Sequence, residues 1–414
     1  MSERKRATLV PGYMKDFRCI GSACEDSCCI GWRVDIDHET YKRYHKINDS
    51  ELTPLMDAHI SRNRSVGKGE NNYARIKLLG DSRCPLLDEE MLCRVQVKRG
   101  EEFLSDVCAT YPRITNIVNG VLERSATMSC PEAARLALLN TEGIEFDEGE
   151  EAVSVKNIIK ANINTHDLKL NSKPHKYLWE LRIFTITLLQ DRSYLLWERL
   201  IILGMFFQKL QKHVDNGSIN EIPELIASYT NLIENGGLRE NLSSIPAQYA
   251  IQMELLKEIA EKRYFQGVNN KRYLECFGEF LYGIQYVSGA SVEDIGLRYK
   301  EAYENYYVPF MEEHGHILEN YLVNHVFKNL FPVTGEKSFF DSYMMVVLHY
   351  ALIKMHLIGM AALHKGLSVG LVIKLMQSFA KTVEHSPVYL NGIAELMRQN
   401  GFNTMPYMSI LIKN

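Results

Sequence analysis

Beyond about residue 153 the apolar positions fall at helical spacing. Leu178, Leu181, Phe184 and Leu188 form one such line, although residues 183–187 read locally like a strand. Leu318, Leu322, Val326 and Leu330 form another, ending at Pro332, which cannot continue a helix. Breaks fall at residues 214–218 and 234–238, each carrying Asn and Gly. The apolar tract 343–376 is interrupted by His349, Lys354, His356, His364 and Lys365. It holds no run of about 20 apolar residues, so it is predicted to be buried helix and not a membrane span. With no β-alternation after residue 190, the pattern predicts an all-α helical domain.

From residue 13 to about 135 short apolar pieces alternate with turn residues. The stretch from Cys84-Pro85-Leu86-Leu87-Asp88 to Cys93 reads as a hairpin or tight loop, and residues 61–72 as a polar loop. Asp37 is predicted to cap a helix that Thr40 opens, and Pro131 to stand near the first position of another. An acidic, glycine-punctuated stretch marks a boundary. The expected organisation is a cysteine-rich metal domain at 1–140, an acidic linker at 141–152 and a helical domain at 153–414 that shapes a substrate cleft. The fold class is mainly α, a small cysteine-rich metal-binding N-terminal domain followed by an all-α helical domain.

Composition changes this picture in one respect. The chain has 414 residues, 46% hydrophobic and 24% charged, with a formal net charge of -4. Such a balance argues against a strongly basic nucleic-acid binder. The start carries Arg and Lys but no apolar stretch behind them, so a cytoplasmic chain without membrane insertion is expected. The nine cysteines, however, are not scattered: all but Cys276 lie between residues 19 and 130. In a chain that is not exported, such crowding points to metal binding more than to disulfides.

Cys19, Cys24, Cys28, Cys29, Cys84, Cys93, Cys108 and Cys130 are therefore the predicted metal-ligand set, with disulfides or scattered structural thiols as the alternatives. Thiolates are soft ligands suited to zinc, copper(I) or iron–sulfur clusters. Adjacent cysteines normally point apart, so Cys28 and Cys29 are not expected to hold one ion together. Cys24 and Cys28 fit the first interval of a Cys-x3-Cys-x2-Cys motif, but Gly31 stands at its third position. Zinc-finger spacing, the Gly-x-Gly-x-x-Gly loop and the phosphate-binding Gly-x4-Gly-Lys loop are all absent. Cys276 reads as a buried apolar residue, and His349, His356 and His364 as structural, because two-turn separations are too long for one metal.

The residues Cys19-x4-Cys24-x3-Cys28-Cys29, Cys84-Pro85-Leu86-Leu87-Asp88, Cys93 and Cys108-Ala109-Thr110-Tyr111-Pro112-Arg113 resemble a cysteine-rich zinc- or iron-chelating domain of small bacterial proteins. With Ser129-Cys130-Pro131 and the long helical extension, the chain resembles the bacterial flagellin lysine-N-methylases. Residues 177–182, 198–204 and 320–327 are similar to segments of that family. The resemblance implies methyl transfer from S-adenosylmethionine to lysine ε-amines of flagellin, by an enzyme associated with an iron–sulfur cluster, of the 4Fe–4S kind or with zinc in its place.

That chemistry needs a base, because a lysine with a pKa of about 10.4 has almost no free lone pair at neutral pH. Asp16, Glu25, Asp26, Asp88 and Tyr111 stand near the cysteines in sequence, and none is singled out. Arg113 is the candidate for a bidentate contact with a cofactor carboxylate. Tyr303, Tyr306 and Tyr307 suit either core packing or a cleft for an alkyl-ammonium group. Two other classes remain open: a non-catalytic metal-binding escort for flagellin or another client, and a redox sensor in which Cys28 and Cys29 oxidise.

Overall fold

The computed structural model describes residues 5–64, 72–152, 158–287, 289–333 and 336–414. The chain folds as two units, residues 1–133 with 146–162, and residues 134–145 with 163–414.

The N-terminal unit contains two sheets that the sequence reading did not foresee. Its strands are β1 (Lys5–Pro11), β2 (Val34–Ile36), β3 (Ile60–Arg62), β4 (Ala74–Ile76), β5 (Arg113–Val118), β6 (Val121–Ala126), β7 (Phe146–Ala152) and β8 (Ile159–Ile163). One sheet has the order β7-β1-β6-β5-β8 and the other β2-β4-β3. Between β5 and β6, Asn119 and Gly120 have φ of 51° and 84° and join the Val118–Val121 pair. Asn-Gly at these positions is the residue pair a two-residue hairpin demands.

The segment expected to be an acidic linker is in its second half a strand. β7 pairs antiparallel with β1 from Lys5–Ala152 to Pro11–Phe146. Glu and Gly are poor strand formers, so pairing overrides propensity here. Ion pairs to β7 from outside β1 assist it: Lys15 Nζ lies 2.9 Å from Asp147 and Arg124, on β6, donates from Nη2 to Glu151 at 3.0 Å. The predicted loop at 61–72 begins inside β3, and its residues 65–71 lie outside the described residues.

The smaller sheet rests on one apolar cluster: Val34, Ile36, Tyr44, Leu52, Met56, Ala74, Ile76, Cys84, Leu86, Val95 and Leu104. Short helices cover it, at His38–Tyr44, Leu52–His59, Arg94–Arg99 and Asp106–Thr110. Asp37 caps the first of these as predicted, accepting from Thr40 N at 2.7 Å.

The second unit is helical throughout, as its periodicity predicts. Helices occupy Leu178–Gln190, Leu196–Asp215, Ile222–Glu234, Tyr249–Phe265, Lys271–Gly283, Val292–Ala302, His316–Lys328, Phe339–His364, Val369–Phe379, Pro387–Gln399 and Met405–Ile412, with shorter ones between. Tertiary packing converts the strand-like residues 183–187 to helix. The breaks at 214–218 and 234–238 fall where helices end.

Helix Phe339–His364 is the axis of this unit, with every residue from Phe339 to Ala362 buried. It is long and apolar enough to cross a membrane by length and composition, yet 94% of its most apolar window is buried among its neighbours. A helix apolar all round belongs in such a core. Helix Lys271–Gly283 lies directly against it. A Cβ on Gly283 would stand 1.8 Å from the Gly359 carbonyl oxygen, and one on Gly359 would stand 2.6 Å from the Phe280 carbonyl oxygen. Backbone atoms cannot rotate aside. Gly359→Ala is therefore expected to lower stability by about 3 kcal/mol, the upper part of the overpacking range. An unfolding midpoint within 0.5 kcal/mol of the parent would show that the two helices can part at little cost.

Candidate functional site

The eight N-terminal cysteines are all free thiols, and the fold gathers seven of them into neighbouring positions. Cys28 and Cys29 sit side by side with sulfurs 3.9 Å apart, against the expectation that adjacent thiols diverge. That separation is close to the edge of a tetrahedron with metal–sulfur bonds of about 2.3 Å, roughly 3.8 Å. The local cause is the loop around Gly31, whose φ is 82°. It lets Ile30 bridge Arg83, and the Cys84 amide donate to the Cys29 carbonyl at 2.9 Å.

Cys84 and Cys93 close the predicted tight turn. Leu87 bridges Cys93, the Arg94 amide donates to Leu86 O at 2.9 Å, and the Asp88 carboxylate accepts from the Glu90 and Leu92 amides. Cys93 then stands at the N-terminus of helix Arg94–Arg99. Cys108 lies on helix Asp106–Thr110, which Ser105 caps. The Asp37 carboxylate also accepts from the Asp106 amide at 3.1 Å, tying this helix to His38–Tyr44. Burial works against that carboxylate, but the Thr40 and Asp106 amides hold it below its ordinary value.

Burial pushes Cys84 up to about 11, Cys108 to about 12 and Cys130 to about 11, and it raises Cys24 and Cys93 as well. Cys29 is raised first by its hydrogen bond with Cys28 and then by burial. A neighbouring cysteine adds to each shift, so these sulfurs lie near one another. Cys108 and Cys84 feel Cys93 and Cys28, while Cys130 feels Cys24 and Cys28. Cys19 is exposed.

Among the described residues no three His, Cys, Asp or Glu side chains are drawn to ligating distance. The donor chemistry nevertheless fits a soft metal: seven neighbouring thiols, most of them half-buried or buried, on loops and helix starts. Ligation would require the side chains to close up and each thiol to give up its proton.

The other predicted site residues are placed as follows. Arg113 opens β5 and lays its guanidinium over Phe17, 5.4 Å from the ring centre. Tyr111 is half-buried, with its hydroxyl 3.1 Å from Ser129 Oγ and its ring 4.8 Å from Trp32. Burial, then the Cys130 charge, raises its phenol well above the ordinary value. Asp16 and Glu25 are exposed, and the Asp26 carbonyl accepts from the Cys24 thiol at 3.2 Å. Cys276 is fully buried, as expected.

In the helical unit the three histidines stay apart. His349 and His356 are buried, each donating from Nδ1 to the carbonyl four residues earlier, while His364 lies 3.2 Å from Glu279. Tyr307 is buried within the π-helical turn Tyr303–Tyr307 and stacks on Tyr303 at 5.5 Å, which is packing and not an open cleft.

Sequence reasoning missed one polar constellation. Glu384, on the π-helical turn Ala380–Glu384, accepts from Tyr321 at 2.7 Å and from Lys328 at 2.5 Å. The His325 and His349 rings lie 4.9 Å apart, and both imidazoles act on Glu384. The only sequence signal was three polar residues on the line that also carries Leu318, Leu322 and Val326.

An αβ unit crowded with thiols and a large helical unit thus define the class of protein. Residues 182–411 match the family model of the FliB lysine N-methylase C-terminal domain, and the chain belongs to that family. Over 369 residues, 86% of this chain and 86% of each relative, it is 26% identical to the lysine-N-methylases of Salmonella typhimurium and Salmonella choleraesuis. It is also 33% identical over 141 residues to the flagellar biosynthetic protein FliU of Salmonella muenchen, covering 33% of this chain and 80% of that protein. No solved structure matches the chain significantly.

Proposed function

We propose that this chain transfers methyl groups from S-adenosylmethionine to lysine side chains of flagellin in the cytoplasm, and that its N-terminal thiols hold an iron–sulfur cluster or zinc. The observation that carries the reading is the family match across 182–411, which covers most of the helical unit. The flagellar name of the FliU relative supports flagellin as the substrate. The thiol grouping supports a soft metal.

The acceptor amine must lose its proton before it can attack, and a desolvated, well-aligned site supplies most of the remaining acceleration. Three groups near the thiols are not placed to take that proton. Asp88 is engaged in its turn, Asp37 caps one helix and accepts from the first amide of another, and the Tyr111 phenol is held protonated by burial. Arg113 suits the donor's carboxylate, since its guanidinium is steadied against Phe17 and can present paired donors. A cluster held by three thiolates would offer an open iron to the amino and carboxylate groups of the donor, whereas four thiolates would leave it structural or redox-active.

Purified full-length protein, flagellin and isotopically labelled donor test the reading. Label is expected on flagellin lysines, located by peptide mass spectrometry. Flagellin binding without incorporation would make the protein a non-catalytic escort.

A further inference from the structure

Glu384 ends the π-helical turn Ala380–Glu384 and accepts from the Tyr321 hydroxyl at 2.7 Å and the Lys328 ammonium at 2.5 Å. Turns of this kind are rare and recur at functional sites. His325 stands between Tyr321 and Lys328 on helix His316–Lys328, one turn from each. Its ring lies 6.1 Å from that of Tyr321 and 4.9 Å from that of His349, which belongs to helix Phe339–His364. Four of the five residues are shielded from solvent, and His325 is half-buried. All five fall within 182–411, the part of the chain that matches the lysine N-methylase family.

His349 is 4% exposed, and its Nδ1 faces the Met345 carbonyl at 2.6 Å. That nitrogen must carry the ring proton, which leaves Nε2 as a bare lone pair. Nε2 is buried and meets no hydrogen-bond donor. A buried acceptor left unmet is costly, and a native fold retains one where it has a use. Burial keeps this ring neutral, while the Glu384 charge favours its taking up a proton. The other buried titratable groups of the unit are committed. Lys354 donates to the Ile412 carbonyl, His356 is enclosed by four aromatic rings, and Glu319 and Asp341 are each held by arginine. Only around Glu384 do a carboxylate, two imidazoles and a lysine ε-ammonium share one place among the described residues.

Resting on the methyl-transfer reading above, we propose that His325 takes the proton from the acceptor lysine, with Glu384 and His349 as positioning residues behind it. The imidazole accepts one proton from the substrate ε-ammonium and becomes an imidazolium beside the Glu384 carboxylate. The freed lone pair forms its bond to the methyl carbon as the carbon–sulfur bond of the sulfonium donor breaks. The donor's positive charge ends on the methylated amine, and the thioether leaves neutral. His325 then returns its proton to solvent, which the half-buried ring reaches. The titratable groups facing it are Tyr321 and Lys328 from its own helix, His349 from helix Phe339–His364 and Glu384 from the π-helical turn. Glu384 favours the imidazolium and Lys328 opposes it, which keeps the imidazole able both to take and to release a proton near neutrality.

The test follows label transfer from S-adenosylmethionine to saturating flagellin against pH, with full-length protein. The wild-type rate is expected to rise with pH and level off between about 6 and 8. Without a base it would instead climb about tenfold per pH unit toward the lysine value of about 10.4. His325→Gln is expected to lose about 100-fold at pH 7, to lose the plateau, and to keep its KM for flagellin. His349→Gln should move the midpoint of the profile with a smaller loss. His364→Gln, at the surface beside Glu279, should match the wild type throughout. Far-UV circular dichroism checks the fold of each variant, and should His325→Gln fail to fold, the shape of the wild-type profile decides. A wild-type rate still climbing tenfold per unit above pH 8, or a His325→Gln profile of unchanged shape, overturns the assignment and leaves the methylase reading intact. Wild-type protein that transfers no label overturns both.

Discussion

If the N-terminal thiols hold a metal as proposed above, stripping it from the full-length protein is expected to open the smaller sheet of the N-terminal unit while the helical unit keeps its fold. The eleven-residue cluster there includes Cys84 and packs Cys29, Cys93 and Cys108 against it, and these thiols become polar liabilities once they are neither ligated nor replaced by larger apolar groups. Structural zinc sites contribute apparent binding energies of about 10–16 kcal/mol, which exceeds the net stability of most small domains. Hydrogen exchange after treatment with a strong chelator is the direct measurement. Amides of β2, β4 and helix Asp106–Thr110 should lose protection, and those of helix Phe339–His364 should not. Trp32, 4.8 Å from Tyr111, offers a fluorescence reading of the same event. Unchanged protection of β4 would mean that the apolar cluster holds this sheet unaided.

Replacing Lys328 by methionine is expected to cost the helical unit about 3–5 kcal/mol, because it strands the Glu384 carboxylate in the interior. Both side chains of the pair are only 7% exposed. Burial by itself would raise the Glu384 carboxyl, but Lys328, His325 and His349 hold it well below 4.5. A carboxylate depressed in the folded state stabilises fully above its unfolded value and loses that contribution as pH falls through its folded value. Wild-type protein should therefore owe no loss to this group until pH drops below about 4.5. In Lys328→Met the main opposing charge is gone and burial raises Glu384, so its penalty is largest at high pH and relaxes as the group protonates. The deficit relative to the parent should narrow from pH 8 to pH 5.

Adding Glu384→Gln removes the charge and keeps an acceptor for the Tyr321 hydroxyl, so the double variant should recover most of the loss. Denaturant unfolding followed by far-UV circular dichroism at both pH values checks this. A loss below about 1 kcal/mol would place the pair among solvated surface bridges. A separate acid lability, common to parent and variants, comes from His356, which sits among the rings of Tyr273, Phe277, Phe280 and Phe379. Burial lowers it to about 4, so stability is constant above 6.5 and falls as pH drops toward 4, by about 3 kcal/mol in total at 1.36 kcal/mol per pH unit.

The helical half was legible because its evidence is local. Periodic leucines, Pro332 and the Asn-Gly breaks act within one or two turns, so the helix ends at Asp215, Glu234 and Lys328 agree with them. The N-terminal sheets were less so. β2, β3 and β4 have three residues each, too short for alternation to register, and β7 is written in residues that disfavour strands. One local signal was present and decisive, Asn119-Gly120 between β5 and β6.

The sequence by itself determined that thiols crowd one end of this chain, that a long helical unit follows, and which family the combination resembles. The first two are properties of composition and spacing, which survive without knowing what touches what, and the third rests on the likeness of the cysteine motifs and three helical segments to that family. Only the tertiary structure decided which thiols share a core, that Cys28 and Cys29 point the same way, and that Glu384 meets Tyr321 and Lys328 across 63 and 56 residues. Those facts depend on contacts between distant segments, whose loop-closure entropy is offset by burial summed over the whole unit, so no local run of residues records them.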